Sequence, residues 1–185
     1  VKQYNMKYSN YMSLVERSII FMRFLIQSSF EALFGKYQII YATSTPLTVA
    51  IPGILAKLFR GRKFVFEVRD SWPELPFAMG LINIFLYKIL LILEKISYIS
   101  ADVCIGLAPG ICERFLKKGV EIAKIKNVPN SCDTELFTPL KNSIKKPQLI
   151  DKYFCSSDFV VAFTGAHGMA NGLESVLDVA LLLKK

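Results

Sequence analysis

Charged residues and the chain's single tryptophan crowd into one short stretch, Glu67-Val68-Arg69-Asp70-Ser71-Trp72-Pro73-Glu74. A carboxylate at Asp70 can take a proton from a ligand hydroxyl, the Arg69 guanidinium can neutralise a diphosphate, and Trp72 can stack on a sugar or pack the lid of a cleft. A surface salt-bridge cluster would account for the same residues without any ligand. Upstream, Thr43-Ser44-Thr45-Pro46 sets hydroxyls and backbone amides at a helix start, which suits a sugar hydroxyl or a phosphate. Ordinary helix capping by Ser44 or Thr45 explains that stretch equally well. A third stretch, Thr164-Gly165-Ala166-His167-Gly168-Met169-Ala170-Asn171-Gly172, has glycines that let backbone amides approach an anion, and it holds the only histidine. Its spacing matches neither the dinucleotide fingerprint nor the P-loop, so nicotinamide and NTPase readings lose support.

The elements that must hold these stretches follow from periodicity and punctuation. An apolar segment over 19–34, broken by Arg23, Gln27 and Glu31, predicts a core helix that Gly35 stops. Strands are predicted at 37–42, 63–68, 103–107 and 125–128, and a fully apolar one at 159–163. Between them, helices are predicted over 47–59, ended by Arg60-Gly61-Arg62, over 81–100, over 110–118 with Pro109 opening and Gly119 closing, and over 173–183. Strands alternating with helices imply a parallel sheet with right-handed crossovers and helices on both faces. In such a sheet ligands bind beyond the carboxyl ends of the strands, where all three polar stretches are expected.

The chain has 185 residues, room for one α/β domain and a little more. We read one α/β domain over 1–140 lacking its N-terminal part, a lysine-rich linker over 141–157, and the start of a second domain over 158–185. With 52% hydrophobic and 21% charged residues and no biased tract, the chain is expected to fold. Cys104, Cys112, Cys132 and Cys155 are too scattered for a metal site and read as reduced structural thiols. The net charge of +8 suits anionic lipid or a polyphosphate substrate, while the scattered basic residues carry no nucleic-acid-binding signature. The run 81–93 is very apolar but shorter than the roughly 18–20 residues that span a bilayer, and Lys88 interrupts it. It is either a buried helix or a segment lying in the lipid interface.

The residues resemble family 4 of the retaining GT-B glycosyltransferases, and more narrowly the bacterial N-acetyl-L-fucosamine-transferase-like subfamily of O-antigen and capsule assembly. The resemblance runs from about Tyr37 onward. It rests on Ala42-Thr43-Ser44-Thr45-Pro46-Leu47-Thr48, on Phe66 to Glu74, on Val128-Pro129-Asn130 with Asp133 and Phe137, and on Gly165-Ala166-His167-Gly168 with Gly172-Leu173-Glu174. It implies two Rossmann-like domains, and transfer from a UDP-linked, N-acetylated amino sugar with retention at the anomeric carbon and no obligatory metal or other cofactor. The implied acceptor is a polyprenyl-diphosphate-linked saccharide at the cytoplasmic face of the plasma membrane, with the enzyme peripheral to that face. Asp70 and Arg69 would then be catalytic, Ser44, Thr45, Glu67, Trp72 and Glu74 acceptor-binding, and Asn130, Gly165, His167, Gly168 and Asn171 donor-binding.

The sequence also departs from the family's pattern. Many members place a histidine where Arg69 stands, and an arginine and a lysine where Ala166 and Asn171 stand. The paired glutamates of the donor domain would lie beyond Lys185 and the first glycine-bearing strand before Val1, so this stretch alone is expected to be inactive. Two other functions stay open on the residues: a GT-B-fold sugar-nucleotide epimerase, and a non-catalytic membrane-associated scaffold.

Overall fold

Buried side chains alternate along the second strand, and this one element organises the sheet. In the computed structural model, which describes residues 9, 12–137, 160–165, 167–168 and 171–183, β2 (Lys63–Val68) buries Phe64, Phe66 and Val68 and turns Val65 and Glu67 the other way. β1 (Ile39–Thr43), β3 (Val103–Gly106) and β4 (Ile125–Asn127) pair with it in the sequential order β1-β2-β3-β4, every pair parallel. The result is an α/β sheet of Rossmann-like type, within the compact unit Val1–Asn130.

The connecting helices are α2 (Ala50–Arg60), preceded by a 3₁₀ turn at Leu47–Val49, α3 (Glu74–Ala78), α4 (Ile84–Ser100) and α5 (Pro109–Lys117). Because each crossover steps in the same direction, right-handed connections put them in one layer. That layer covers the Phe64 face, where the rings of Phe64, Phe66, Tyr98 and Phe115 follow one another at centroid distances of 5.8, 6.1 and 4.8 Å. Helices on both faces were expected; among the described residues of this unit one face is covered. On the other, Ile39 and Tyr41 are 60% and 56% exposed.

Two close approaches shape the layer. Gly53 of α2 lies against the ring of Phe64, so near that a Cβ there would stand 2.2 Å from it. Gly61 ends α2 at a φ of 62°, which glycine adopts at little cost. Asp102 then ties the layer to the sheet: Phe64 N donates to its Oδ2 at 2.8 Å, and Lys57 Nζ stands 3.0 Å from its Oδ1. Burial opposes the Asp102 charge, but the Phe64 amide and the Lys57 ammonium together hold its carboxyl below the ordinary range. Cys104 is fully buried, and burial pushes its thiol up to about 12.

Three sequence expectations change. α1 (Leu14–Phe34) forms under a Ser13–Glu16 capping box, but it is not a core helix: it packs along α2, and most of its large apolar side chains are exposed. Arg60 and Arg62 were expected only as a helix stop. They also satisfy the last carbonyls of α1, bonding to Leu33 O and Ala32 O at 2.8 Å and to Gly35 O at 2.5 Å. Finally, the strand expected at 159–163 is not formed by the described residues 160–163, which are exposed and paired with no neighbouring strand. An extended segment becomes a strand only when a partner takes up its amides and carbonyls. Of the second Rossmann-like domain's expected opening, only the helix is seen, α6 (Glu174–Leu183), within the unit Ser131–Lys185. The expected linker 141–157 lies outside the described residues.

Candidate active site

Parallel pairing brings the four carboxyl-terminal strand ends side by side. Thr43 is in register with Glu67, Val68 with Gly106, and Gly106 with Asn127, so whatever follows each strand meets the others along one edge. A cavity of about 410 Å³ opens there, lined by Ser44, Thr45, Arg69, Asp70, Leu107 and Asn130. Five of these six were singled out from the sequence. Leu107 was not, although its place at the end of the third predicted strand could have pointed to it.

The hydroxyls of Ser44 and Thr45 do not cap the helix that follows them. Pro46 occupies the cap position of the 3₁₀ turn, and no side-chain cap bond forms. Instead, Ser44, 2% exposed, donates its backbone amide to Glu67 O at 2.9 Å and accepts from Arg69 N at 3.1 Å through its Oγ. Thr45 donates its Oγ1 proton to Asp70 Oδ2 at 2.5 Å. The end of β1 is thereby clasped to the end of β2, and Asp70 is held with Oδ1 left to accept from a ligand hydroxyl. Among the described residues Arg69 forms no ion pair, so its charge is available to an anion in the cavity.

Glu67, Trp72 and Glu74 are not brought to the cavity lining. Glu67 projects from the half-open sheet face and accepts from Tyr41 Oη at 2.5 Å, a bond that raises the Tyr41 phenol above its ordinary value. Trp72 packs against the core, and its carbonyl accepts from Arg114 Nη2 at 3.4 Å. Glu74 pairs with the same guanidinium. Arg114 also reaches Glu94, which is fully buried, with its Nε 2.5 Å from Oε1, and Lys118 Nζ lies 3.0 Å from Oε2 in ion-pair contact without hydrogen-bond geometry. Burial works against the Arg114 charge, yet the Glu94 and Glu74 carboxylates outweigh it and raise its pKa. Burial, then the Glu94 charge, pushes the Tyr98 phenol well above its usual range. Sequence reasoning missed this network. Its one signal was Glu94, the single acid in a predominantly apolar helix.

The remaining expected donor residues lie in the second unit. His167 is exposed, its ring centroid 6.1 Å from that of Phe163. The Asn171 amide donates to Gly168 O at 3.0 Å, forming a turn ahead of α6, and Gly172 takes a φ of 56° there. A Cβ on Gly165 would meet the Phe163 ring at 3.1 Å. Among the described residues no group of three or more His, Cys, Asp or Glu side chains comes together. The cavity therefore offers hydroxyls, one carboxylate, one guanidinium and one amide.

Comparison with known protein families finds no match, and comparison with characterised proteins finds none either.

Proposed function

We propose that the protein to which this chain belongs is a retaining glycosyltransferase that moves a sugar, of the UDP-linked N-acetylated amino class, onto a polyprenyl-diphosphate-linked saccharide. The observation that carries the reading is the cavity at the strand ends, where Ser44, Thr45, Arg69, Asp70 and Asn130 converge, with the Asp70 carboxylate held by the Thr45 hydroxyl beside a guanidinium that forms no ion pair among the described residues. In this reading the acceptor hydroxyl gives its proton to Asp70, and its oxygen bonds to the anomeric carbon on the face from which the nucleoside diphosphate departs. The bond from that carbon to the diphosphate oxygen breaks, and its electron pair leaves with the diphosphate. Arg69 neutralises diphosphate charge, and Asn130 contacts the donor from the same cavity. The site of action is the cytoplasmic face of the plasma membrane, where such acceptors are presented.

The test is a transfer assay with the protein expressed from its complete coding sequence, a panel of labelled UDP-sugars and a short-prenyl diphosphate saccharide. Asp70→Asn is expected to lower kcat by about 10²–10⁴, the range of a lost proton acceptor. Unchanged transfer by Asp70→Asn, or release of UDP without any acceptor product, would overturn the reading; the second result would favour an epimerase.

A further inference from the structure

α4 is inside out for a helix at a water-facing surface. Its inner side buries Leu90, Glu94, Ser97 and Tyr98, with the acid neutralised by Arg114 and Lys118. Its outer side carries Phe85, Ile89, Ile92, Ile96 and Ile99, all between 46% and 72% exposed. Their spacing of four, three, four and three residues aligns them on one face of the helix, and exposed Ile84, the first residue of α4, and Leu81 before it extend the patch at the N-terminal end. A helix packed on a core ordinarily reverses this arrangement, apolar inward and polar outward. Contiguous apolar patches on soluble chains mark interaction surfaces.

The charges around the stripe select among partners. α4 carries three ionisable acid or base side chains besides tyrosine, Lys88, Glu94 and Lys95, and the acid is buried. Only the two lysines project outward, on a chain of net charge +8. Pairing this stripe with that of a second copy would put like charges side by side: a parallel pair sets Lys88 against Lys88, and an antiparallel pair centred on Ile92 brings Lys88 close to Lys95. Both arrangements are repulsive. An anionic headgroup layer complements both lysines, while their aliphatic stems and the stripe enter the acyl boundary.

We propose that the Phe85–Ile89–Ile92–Ile96–Ile99 face of α4 seats the protein on the surface of a bilayer rich in anionic lipid, with Lys88 and Lys95 at the headgroups. The helix lies along the interface, since no helix among the described residues is long and apolar enough to cross a membrane. The seat is not the apolar run 81–93 as such. Leu90 is buried and Leu93 packs on the core, whereas Ile96 and Ile99, beyond the run, belong to the exposed face. The inference does not depend on sugar transfer, because vesicle binding is read without any substrate.

The experiment is co-sedimentation with vesicles of phosphatidylcholine mixed equally with phosphatidylglycerol, and with phosphatidylcholine alone, at low and high salt. The wild-type chain is expected to bind the anionic vesicles at low salt. Phe85→Ser with Ile92→Ser should weaken binding at least about tenfold, given the apolar area withdrawn from the interface. Lys88→Gln with Lys95→Gln should weaken binding to anionic vesicles by about tenfold or more and leave the neutral ones unaffected. All four side chains project into solvent, so neither double variant removes a core contact, and far-UV circular dichroism checks the fold. Failure of the wild type to bind anionic vesicles, or binding by either variant equal to wild type, overturns the proposal. So does a concentration-dependent dimer in sedimentation velocity that Phe85→Ser with Ile92→Ser abolishes without changing vesicle binding.

Discussion

Replacing Arg114 with methionine isolates the buried acid of α4. Glu94 is 0% exposed and has two cations on it, Arg114 at 2.5 Å and Lys118 at 3.0 Å. Removing one partner of a buried ion pair costs about 3–5 kcal/mol, mostly because the surviving charge stays desolvated. The residual Lys118 contact places this site near the lower end, at about 3 kcal/mol. The pairing of Arg114 with Glu74 adds little, because Glu74 is 37% exposed and solvent screens it; such pairs contribute about 0–1 kcal/mol. For a domain stable by about 5–15 kcal/mol this is a large loss, roughly 6–12 °C in Tm at this chain length. Adding Glu94→Gln to Arg114→Met removes the desolvated negative charge, so the double variant should recover about 2 kcal/mol. Urea denaturation of wild type, both single variants and the double variant gives the full cycle. A cost below about 1 kcal/mol for Arg114→Met, or no recovery in the double variant, refutes the assignment of Glu94 as a buried paired charge.

Two further outcomes test the packing. The depressed pKa of Asp102 means the unfolded state binds more protons than the folded one, so its contribution is present above the ordinary carboxyl value of 3.8 and fades as pH falls through the folded value. The stability gap between wild type and Asp102→Asn should therefore narrow on acidification from pH 6 to pH 3, and a gap constant with pH would contradict the Lys57–Asp102–Phe64 tie. Gly53→Ala should destabilise by about 1–2 kcal/mol, since overpacking against the fully buried Phe64 ring exceeds the gain in helix propensity. Gly110→Ala in α5, where a Cβ meets nothing within 4 Å, should be neutral or stabilising by up to about 1 kcal/mol. Equal effects of the two substitutions by differential scanning calorimetry would show that the Gly53 approach does not matter.

The amino-acid sequence by itself determined the order of the strands and longer helices in the first unit, though not the short α3, because the signals involved are local. Alternation of Phe64, Phe66 and Val68 defines a strand face, Gly61 and Gly119 stop helices, and strands alternating with helices admit little besides a parallel sheet. The placement of polar stretches at strand ends follows from the same pattern, which is why Ser44, Thr45, Arg69 and Asp70 were found; Asn130 was singled out by the family resemblance alone. Only the tertiary structure decided what those groups bind. Thr45 reaches a carboxylate 25 residues away rather than its own helix, and Glu74 is held by a guanidinium 40 residues further on. Side-chain partners across strands and helices leave no mark in local spacing. The inner face of α4 was likewise undecided, since a run apolar on nearly every side has no periodicity to point it. The described residues 160–163 form no strand for the complementary reason: they have the composition of a strand, but a strand exists only beside another.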